Sequence, residues 1–231
     1  MAQEPTGDAN RWEFIVAPYL LFPHMDGSLT VRGKPVDVDV GPGNIFERLD
    51  FGMMLYLEAA NRDWALTLDL LYMNLGETGQ LPVSERVAEA DMKQLGVEVT
   101  GMRRIASWAE LGVGARLSVI EGGLFVEEGQ VLPGIDVSQT RTWLDPLVAA
   151  RSVAPLNRWR LRISGSIGGF GIGSDLGWQV YPFVGYRFSR LFELSAAYRW
   201  LGMDYKTGSG TDMFRYDMVT FGPEIGFVFH F

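Results

Sequence analysis

The sequence predicts an all-β fold, a single antiparallel up-and-down β-barrel of about ten strands that spans a membrane. Apolar and polar residues alternate with a period of two along most of the chain, which indicates strands with two unlike faces. From the second strand onward, tight and long connections alternate, as in transmembrane barrels. The chain also has 47% hydrophobic residues, 13% aromatic residues and 28 glycines, which is rich in aromatic residues and glycine for a soluble domain.

Composition and charge exclude several other classes of protein. No apolar run approaches the ~18 residues that a transmembrane helix needs. The absence of cysteine excludes a disulfide scaffold and thiolate metal sites. A net charge of -8 argues against nucleic acid as a partner. Residues 1–4 lack the basic and apolar lead-in of a signal peptide, so we expect Met1 to stand before a mature N-terminus.

Ten stretches of alternating residues are the predicted strands, although eight or twelve strands also fit the pattern. They cover residues 12–22, 51–60, 64–75, 87–102, 108–124, 140–153, 159–170, 176–188, 192–205 and the stretch from the end of the 206–212 loop to the last residue. The polar residues 1–11 are predicted to form a flexible N-terminal segment, and residues 12–231 are predicted to form the barrel domain.

The last stretch, residues 220–231, carries the most specific pattern in the chain. Its odd-numbered residues form an apolar row that ends on an aromatic residue. Glu224, Gly226, Phe229 and Phe231 have the spacing polar-x-Gly-x-x-aromatic-x-aromatic at the very C-terminus. This pattern resembles the C-terminal assembly signal of Gram-negative outer-membrane β-barrel proteins. The resemblance implies an outer-membrane location, with the barrel assembly machinery, membrane lipids and lipopolysaccharide as partners.

The resemblance also gives the predicted barrel a direction. Tight turns at residues 61–63, 104–107, 156–158 and 189–190 are placed in the periplasm, and the longer loops outside the cell. With both termini in the periplasm, the number of strands must be even. Residues 24–49 are therefore predicted to be a long extracellular loop. Within that loop we expect a hairpin about Gly33 and Lys34 and a short helix over residues 44–49, capped by Asn44.

Three features predict that the apolar faces point to lipid. Aromatic residues mark the ends of the apolar rows, as in interfacial girdles. Three prolines, Pro18, Pro182 and Pro223, interrupt these rows, where a soluble core strand would rarely tolerate them. Glycines recur on the polar faces, where they make room for long side chains inside a narrow barrel. The polar faces are therefore predicted to line the lumen.

Charges of both signs fall on the predicted lumen faces. The inward acids are Glu13, Glu58, Asp69, Glu98, Glu110, Asp145, Glu193 and Glu224, and the inward bases are Arg116, Arg151, Arg160, Arg162, Arg187 and Arg199. Arginine forms bidentate pairs with carboxylates, and a ten-stranded barrel is narrow, so these charges are expected to pair across the lumen. Two hypotheses follow: a structural network of ion pairs that fills the lumen, or a narrow polar pore gated by such pairs.

The predicted helix over residues 44–49 presents Ile45, Phe46 and Leu49 as an apolar patch above the barrel mouth. One interpretation is a loop helix packed on the rim. The other is a lid or inward plug that limits access to the lumen. The sequence alone leaves both open.

The sequence does not predict an enzyme, a cofactor or a metal site. His230 is predicted to lie inside the barrel at its periplasmic end, and turn chemistry explains His24 beside Asp26 better than a catalytic site does. The alternating Asp37 and Asp39 could bind a cation, but a solvated edge strand is the favoured interpretation. The glycine-rich residues 168–175 are predicted to be a flexible loop.

Location and architecture thus follow from the sequence more directly than function does. The first hypothesis is a monomeric outer-membrane barrel that forms a narrow polar channel for ions or small solutes. The alternative is a structural or adhesive barrel whose lumen is plugged by arginine–carboxylate pairs. Single-channel conductance distinguishes the two.

Overall fold

The structure is a computed structural model that describes residues 11–31, 33–80, 87–126 and 135–231. These residues form twelve strands, one α-helix and a 3-10 turn at Gly210–Asp212. The strands are β1 Glu13–Leu21, β2 His24–Val31, β3 Lys34–Val40, β4 Leu49–Ala60, β5 Trp64–Gln80, β6 Val87–Ala106, β7 Ala109–Val126, β8 Ile135–Leu156, β9 Trp159–Gly169, β10 Leu176–Arg187, β11 Phe192–Thr207 and β12 Phe214–His230, with α1 Pro42–Glu47 between β3 and β4. Except for Arg11, the predicted flexible segment 1–11 lies outside the described residues.

Ten of these strands, β1 and β4 to β12, close into an antiparallel barrel. Each strand from β4 to β12 pairs with its neighbour in sequence, and β1 pairs with both β4 and β12 to close the ring. The predicted ten-stranded up-and-down barrel is therefore confirmed. The short connections lie at one end of the barrel, together with the first residues of β1 and the last residues of β12. We call this the turn end. The hairpin β2–β3 and α1 lie at the opposite end, the loop end.

The β2–β3 hairpin extends the line of β1 without adding a strand to the ring. The half of β12 nearer the turn end pairs with β1, and the half nearer the loop end pairs with β2. Between β1 and β2 the backbone breaks at Phe22 and Pro23 and passes close to Gly222 of β12. A Cβ atom at Gly222 would lie 2.0 Å from the Phe22 carbonyl oxygen, so only glycine allows this approach.

The helix begins earlier than the sequence pattern predicts. It starts at Pro42, a residue favoured at the first helical position, and the Ile45 amide donates to the Gly41 carbonyl oxygen at 3.2 Å. Asn44 therefore lies inside α1 instead of capping it, and Leu49 is the first residue of β4, so both of these expectations are wrong. Within the described residues, no helix is long and apolar enough to cross a bilayer.

Strands β5 to β8 are longer than predicted, with 17, 20, 18 and 22 residues. Polar residues that were predicted to form a loop after residue 75 continue the ladder instead, up to the pair Gln80 and Val87. A ladder of backbone hydrogen bonds does not require an apolar face, so this extension leaves little trace in the alternation of residue types. The β6–β7 turn is correspondingly tighter than expected and spans only residues 107–108.

Outward side chains form an apolar belt around the barrel. Along β12, Phe231, Phe229, Phe227 and Ile225 are all exposed, at 38% or more of their surface. Rings of neighbouring strands meet at the turn end, where Trp159, Tyr186, Phe188, Phe192 and Phe229 form a chain with successive centroid distances of 4.8, 4.9, 5.9 and 5.7 Å. The alternation thus places the apolar rows outside and the polar rows inside.

Candidate functional site: the barrel lumen

The lumen contains three levels of side chains. A vestibule opens at the turn end, buried arginines and carboxylates occupy the middle, and apolar side chains fill the loop end. Every charge that the sequence predicts to face inward lies on the lumen side of its strand, because the period of two holds along each ladder.

Arg199 is the centre of the middle level and is only 5% exposed. Its guanidinium donates to Asp69 at 2.7 Å and to Glu224 at 3.2 Å. The Tyr19 hydroxyl donates to Asp69 at 2.6 Å, and the Tyr181 hydroxyl donates to Glu224. Both rings also lie 5.0 Å from the guanidinium carbon, within cation–π range. These five residues, the central cluster, join β1, β5, β10, β11 and β12 across the barrel.

A second group surrounds Arg151 nearer the turn end. Its guanidinium donates to Glu58 at 2.5 Å and to Glu110 at 2.6 Å. Glu58 also accepts from the Tyr56 hydroxyl at 2.5 Å, and Glu110 accepts from Arg104 at 3.0 Å. Each carboxylate therefore serves more than one donor, and strands β4, β6, β7 and β8 are tied together inside the barrel.

Arg162 differs from the other buried arginines because it stacks on rings more than it pairs with charge. It is 7% exposed, and its guanidinium carbon lies 4.4 Å from the Phe183 ring centroid and 5.2 Å from that of Tyr56. Its ion pair with Glu58 is long, with 4.0 Å between the guanidinium nitrogen and the carboxylate oxygen. Within the part of the chain that the structure describes, Nε of Arg162 has no hydrogen-bond partner.

Asp145 does not join the ion pairs that the sequence predicts. Arg116 pairs instead with Glu98, at 2.5 Å, and no ion pair of Asp145 is found among the described residues. Its carboxylate, 1% exposed, accepts from the Ser174 amide at 2.6 Å. The glycine-rich loop that contains Ser174 is thereby attached to the barrel wall at this residue, and its predicted flexibility stays a prediction.

Glu193 carries the ion pairs at the turn end. It is 1% exposed and accepts a hydrogen bond from Arg160 at 2.7 Å. It also forms an ion pair with Arg187, with an N–O distance of 3.8 Å. The His230 ring lies 3.2 Å from its second oxygen. His230 is thus inside the barrel at the turn end, as the alternation predicts, and acts as a third neighbour of one carboxylate.

Little free space remains between these groups. Three cavities inside the barrel measure about 60, 30 and 20 Å³. Each has room for at most a few water molecules. The middle of the lumen is therefore filled by side chains.

At the loop end an apolar cluster fills the lumen. Its buried members are Met25, Ile45, Ile120, Trp143, Met203, Phe214, Tyr216 and Met218. Trp143 also stacks on Tyr205 with a centroid distance of 4.2 Å and an interplanar angle of 8°. Three of the eight come from α1, β2 and β11, and five come from β7, β8 and β12. Because this group fills the loop end of the lumen, we call it the outer plug.

Of the predicted lid residues, Ile45 enters the barrel. It is 2% exposed and packs among the other members of the outer plug. Leu49 packs beside Tyr19 and Leu71 on a neighbouring apolar cluster, and the side chain of Phe46 lies outside the described residues. Helix α1 therefore reaches inward instead of resting on the rim.

The residues of the predicted assembly signal have clear structural positions. Glu224 belongs to the central cluster, and Gly226 lies where a Cβ would come 2.6 Å from the Ser195 hydroxyl. Phe229 and Phe231 face outward, and the Phe231 amide donates to the Phe14 carbonyl oxygen at 2.9 Å. The last residues thus close the barrel against its first strand.

His24 belongs to a strand and not to a turn. Its ring stacks on Phe221 at 4.9 Å, and Nε2 lies 2.9 Å from Asp39 of β3. His24, Asp26 and Asp39 offer ligand atoms within 4.8 Å of one another. All three face outward and stay open to solvent, which is a common arrangement without a metal ion, and the prediction of no metal site stays a prediction.

Charges beyond the apolar belt lie on the outward face at the loop end. Arg215 is half-exposed and donates to Asp204 and Asp217, each at 3.0 Å. The hydrogen bond to Asp204, together with the charge of that carboxylate, raises the pKa of Arg215 above its ordinary value. The outward face therefore changes from apolar to charged along β12, between Val219 and Asp217.

The residue pattern does not single out the tyrosines that complete the buried network. Tyr19, Tyr56 and Tyr181 each donate to an inward carboxylate in the structure. A tyrosine on a polar row beside inward acids is the signal that could have indicated them. Nothing in the residue pattern indicates which carboxylate accepts the hydrogen bond of each tyrosine hydroxyl.

No protein-family model matches this chain, and no curated protein gives a significant match. Among solved structures, the outer membrane protease OmpT from Escherichia coli has a TM-score of 0.52 at 9% identity, covering 96% of this chain and 97% of OmpT. The translocator domain of autotransporter NalP from Neisseria meningitidis has a TM-score of 0.43 at 10% identity, covering 94% and 88%. Ail of Yersinia pestis, the attachment invasion locus protein, has a TM-score of 0.42 at 13% identity, covering 95% and 98%. The likeness to OmpT concerns the fold alone: the chain has the closed β-barrel architecture of outer-membrane β-barrel proteins.

Proposed function

We propose that this protein is an integral β-barrel of a Gram-negative outer membrane whose lumen is closed, a structural barrel and not an open channel. The observation that carries the proposal is the filled lumen, with buried ion pairs in its middle and the outer plug at the loop end. The proposal favours the plugged alternative over the narrow channel.

The apolar belt supports the membrane location. Along β12, outward residues are apolar from Phe231 to Val219 and charged from Asp217 onward. With ~3.3 Å per residue and a strand tilt of roughly 40°, the belt is about 30 Å tall. That height matches the hydrocarbon core of a bilayer, and in water such a surface would aggregate. We place the turn end in the periplasm, because the short turns, the start of β1 and the end of β12 lie at that end.

Two independent barriers support a closed lumen. Opening the middle would separate Arg199 or Arg151 from the carboxylates that each one bonds, and breaking a buried ion pair costs ~3–5 kcal/mol. Opening the loop end would require α1 to withdraw Ile45 from the outer plug, which exposes apolar surface to water. Neither barrier depends on the other.

The same contacts support the absence of enzymatic activity in this proposal. The inward carboxylates act as acceptors for arginine and tyrosine, so they are engaged in structure instead of being poised as acids or bases. The likeness to OmpT extends to the fold and brings no activity to this chain.

A gated channel is the second candidate, and the position of α1 favours it. Of the buried apolar clusters that the described residues form, the outer plug is the largest, and α1 contributes Ile45 to it. In a gated channel, displacement of α1 would be the opening step. Removal of residues 42–47 would then produce a permeable barrel.

Osmotic swelling of vesicles tests both candidates. The refolded protein and a variant lacking residues 42–47 are placed in phospholipid vesicles with a small sugar outside, and heat-modifiable migration confirms that both are folded. The proposal predicts no swelling above protein-free vesicles for either protein. Swelling by the deletion variant alone would support the gated channel, and swelling by the intact protein would refute the closed barrel.

A further inference from the structure

The vestibule at the turn end is a cavity of about 410 Å³ that opens into the barrel. Its charged lining consists of Arg11, Arg62, Arg104, Arg151, Arg160, Arg162 and Arg187 with Glu13, Glu58 and Glu110. Positive charge therefore dominates this cavity, although the whole chain carries a net charge of -8. Such a local excess inside a cleft concentrates anions.

The carboxylates in and beside the vestibule are fewer than the cationic side chains that they contact. Glu110 accepts from both Arg104 and Arg151. At the same end of the barrel, Glu193 is the common neighbour of Arg160, Arg187 and His230. One carboxylate can neutralise one guanidinium, so part of the positive charge stays without a counter-charge from the described residues.

Arg162 is the clearest case of an unmatched cation. Glu58, its nearest carboxylate at 4.0 Å, is already held by Arg151 at 2.5 Å. Its buried Nε lacks a partner among the described residues, and a buried polar group of a charged side chain rarely stays unpaired without a ligand or water. Arg162 lines the vestibule, and the stack on Phe183 fixes the plane of its guanidinium there.

We infer that the vestibule is a binding site for a small soluble anion that carries a phosphate or carboxylate group, with that group bonded to Arg162. A planar guanidinium matches the geometry of such oxyanions bidentately. The volume suits a metabolite-sized ligand. The ligand is soluble and not a lipid headgroup, because the cavity opens inside the ring of strands and the apolar belt faces the lipid. This site is independent of whether the lumen conducts.

Calorimetric titration with inorganic pyrophosphate tests the inference. The full-length protein is placed in nanodiscs of uncharged phosphatidylcholine, which removes competition from anionic lipids. We expect saturable binding that weakens as salt rises. In Arg162→Gln, loss of charge-assisted hydrogen bonds should weaken binding by about tenfold or more. Arg162→Lys keeps the charge but loses the paired N–H donors of the planar guanidinium. Its affinity for pyrophosphate should lie between those of the intact protein and Arg162→Gln.

The matched control is Arg190→Gln, which removes the same charge from an exposed turn at the same end of the barrel, outside the vestibule lining. Its affinity should stay within a factor of about two of the intact protein, because an exposed charge outside the cavity is screened. If Arg162→Gln does not fold, Arg187→Gln at the more exposed rim replaces it. The inference is overturned if the intact protein shows no saturable binding at millimolar pyrophosphate, or if Arg190→Gln weakens binding as much as the vestibule variants.

Discussion

Replacing Arg199 by glutamine should destabilise the barrel far more than the same change at Arg215. Each arginine lies between two carboxylates, Asp69 and Glu224 for the first and Asp204 and Asp217 for the second. The N–O distances are similar, at 2.7 and 3.2 Å against 3.0 and 3.0 Å. The two sites differ in burial, because the Arg199 side chain is 6% exposed and that of Arg215 is 38% exposed.

The expected magnitudes follow from that difference. Without Arg199, two buried carboxylates lose their cation and keep only the hydroxyls of Tyr19 and Tyr181. Breaking such a buried pair costs about 3–5 kcal/mol, and the two remaining hydrogen bonds place the expected cost near the lower value. An exposed pair contributes ~0–1 kcal/mol, so Arg215→Gln should be close to neutral.

Equilibrium unfolding in urea, in phospholipid vesicles and with matching unfolding and refolding curves, measures both free energies. The combined variant Arg199→Gln, Asp69→Asn, Glu224→Gln should recover part of the loss, because it removes the unpaired charges as well. Equal free energies of unfolding for Arg199→Gln and Arg215→Gln would refute the assignment of Arg199 to a buried structural network.

Three further changes test other parts of the structure. Ile45→Asp puts a charge into the outer plug and should lower the free energy of unfolding by about 3 kcal/mol, whereas Glu47→Ala, at an exposed residue of the same helix, should stay near neutral in the same urea assay. Gly222→Ala places a Cβ against the Phe22 carbonyl oxygen and should reduce the yield of heat-modifiable barrel, and an unchanged yield would contradict the close approach of β12 to the break between β1 and β2. Asp145→Asn weakens the acceptor that holds the β9–β10 loop and should increase proteolysis there; an unchanged cleavage rate would argue that the loop is held by other contacts.

The alternation of residue types predicts which side chains share the lumen, but not which of them pair. Arg151 and Glu58 are both assigned inward because a strand has a period of two. That they meet at 2.5 Å depends on the tilt and stagger of the strands around the ring, which no local pattern encodes. The same reason explains why Asp145 binds a backbone amide while Arg162 stacks on rings.

The loop end was the least predictable part of the barrel. Past the apolar belt the outward rows become polar, as at Asp217, while inward residues such as Tyr216 and Met218 become apolar. Alternation therefore continues, but with the polar and apolar faces exchanged relative to the membrane region. Only long-range contacts show that Ile45 of α1 fills the space between those inward residues.

Planar-bilayer recording of the intact, refolded protein tests the closed lumen most directly. Buried ion pairs and the outer plug predict a folded, heat-modifiable protein that inserts without discrete conductance steps. Reproducible single-channel steps from the intact protein would contradict the account, because ions would then cross levels of the lumen that side chains are inferred to fill.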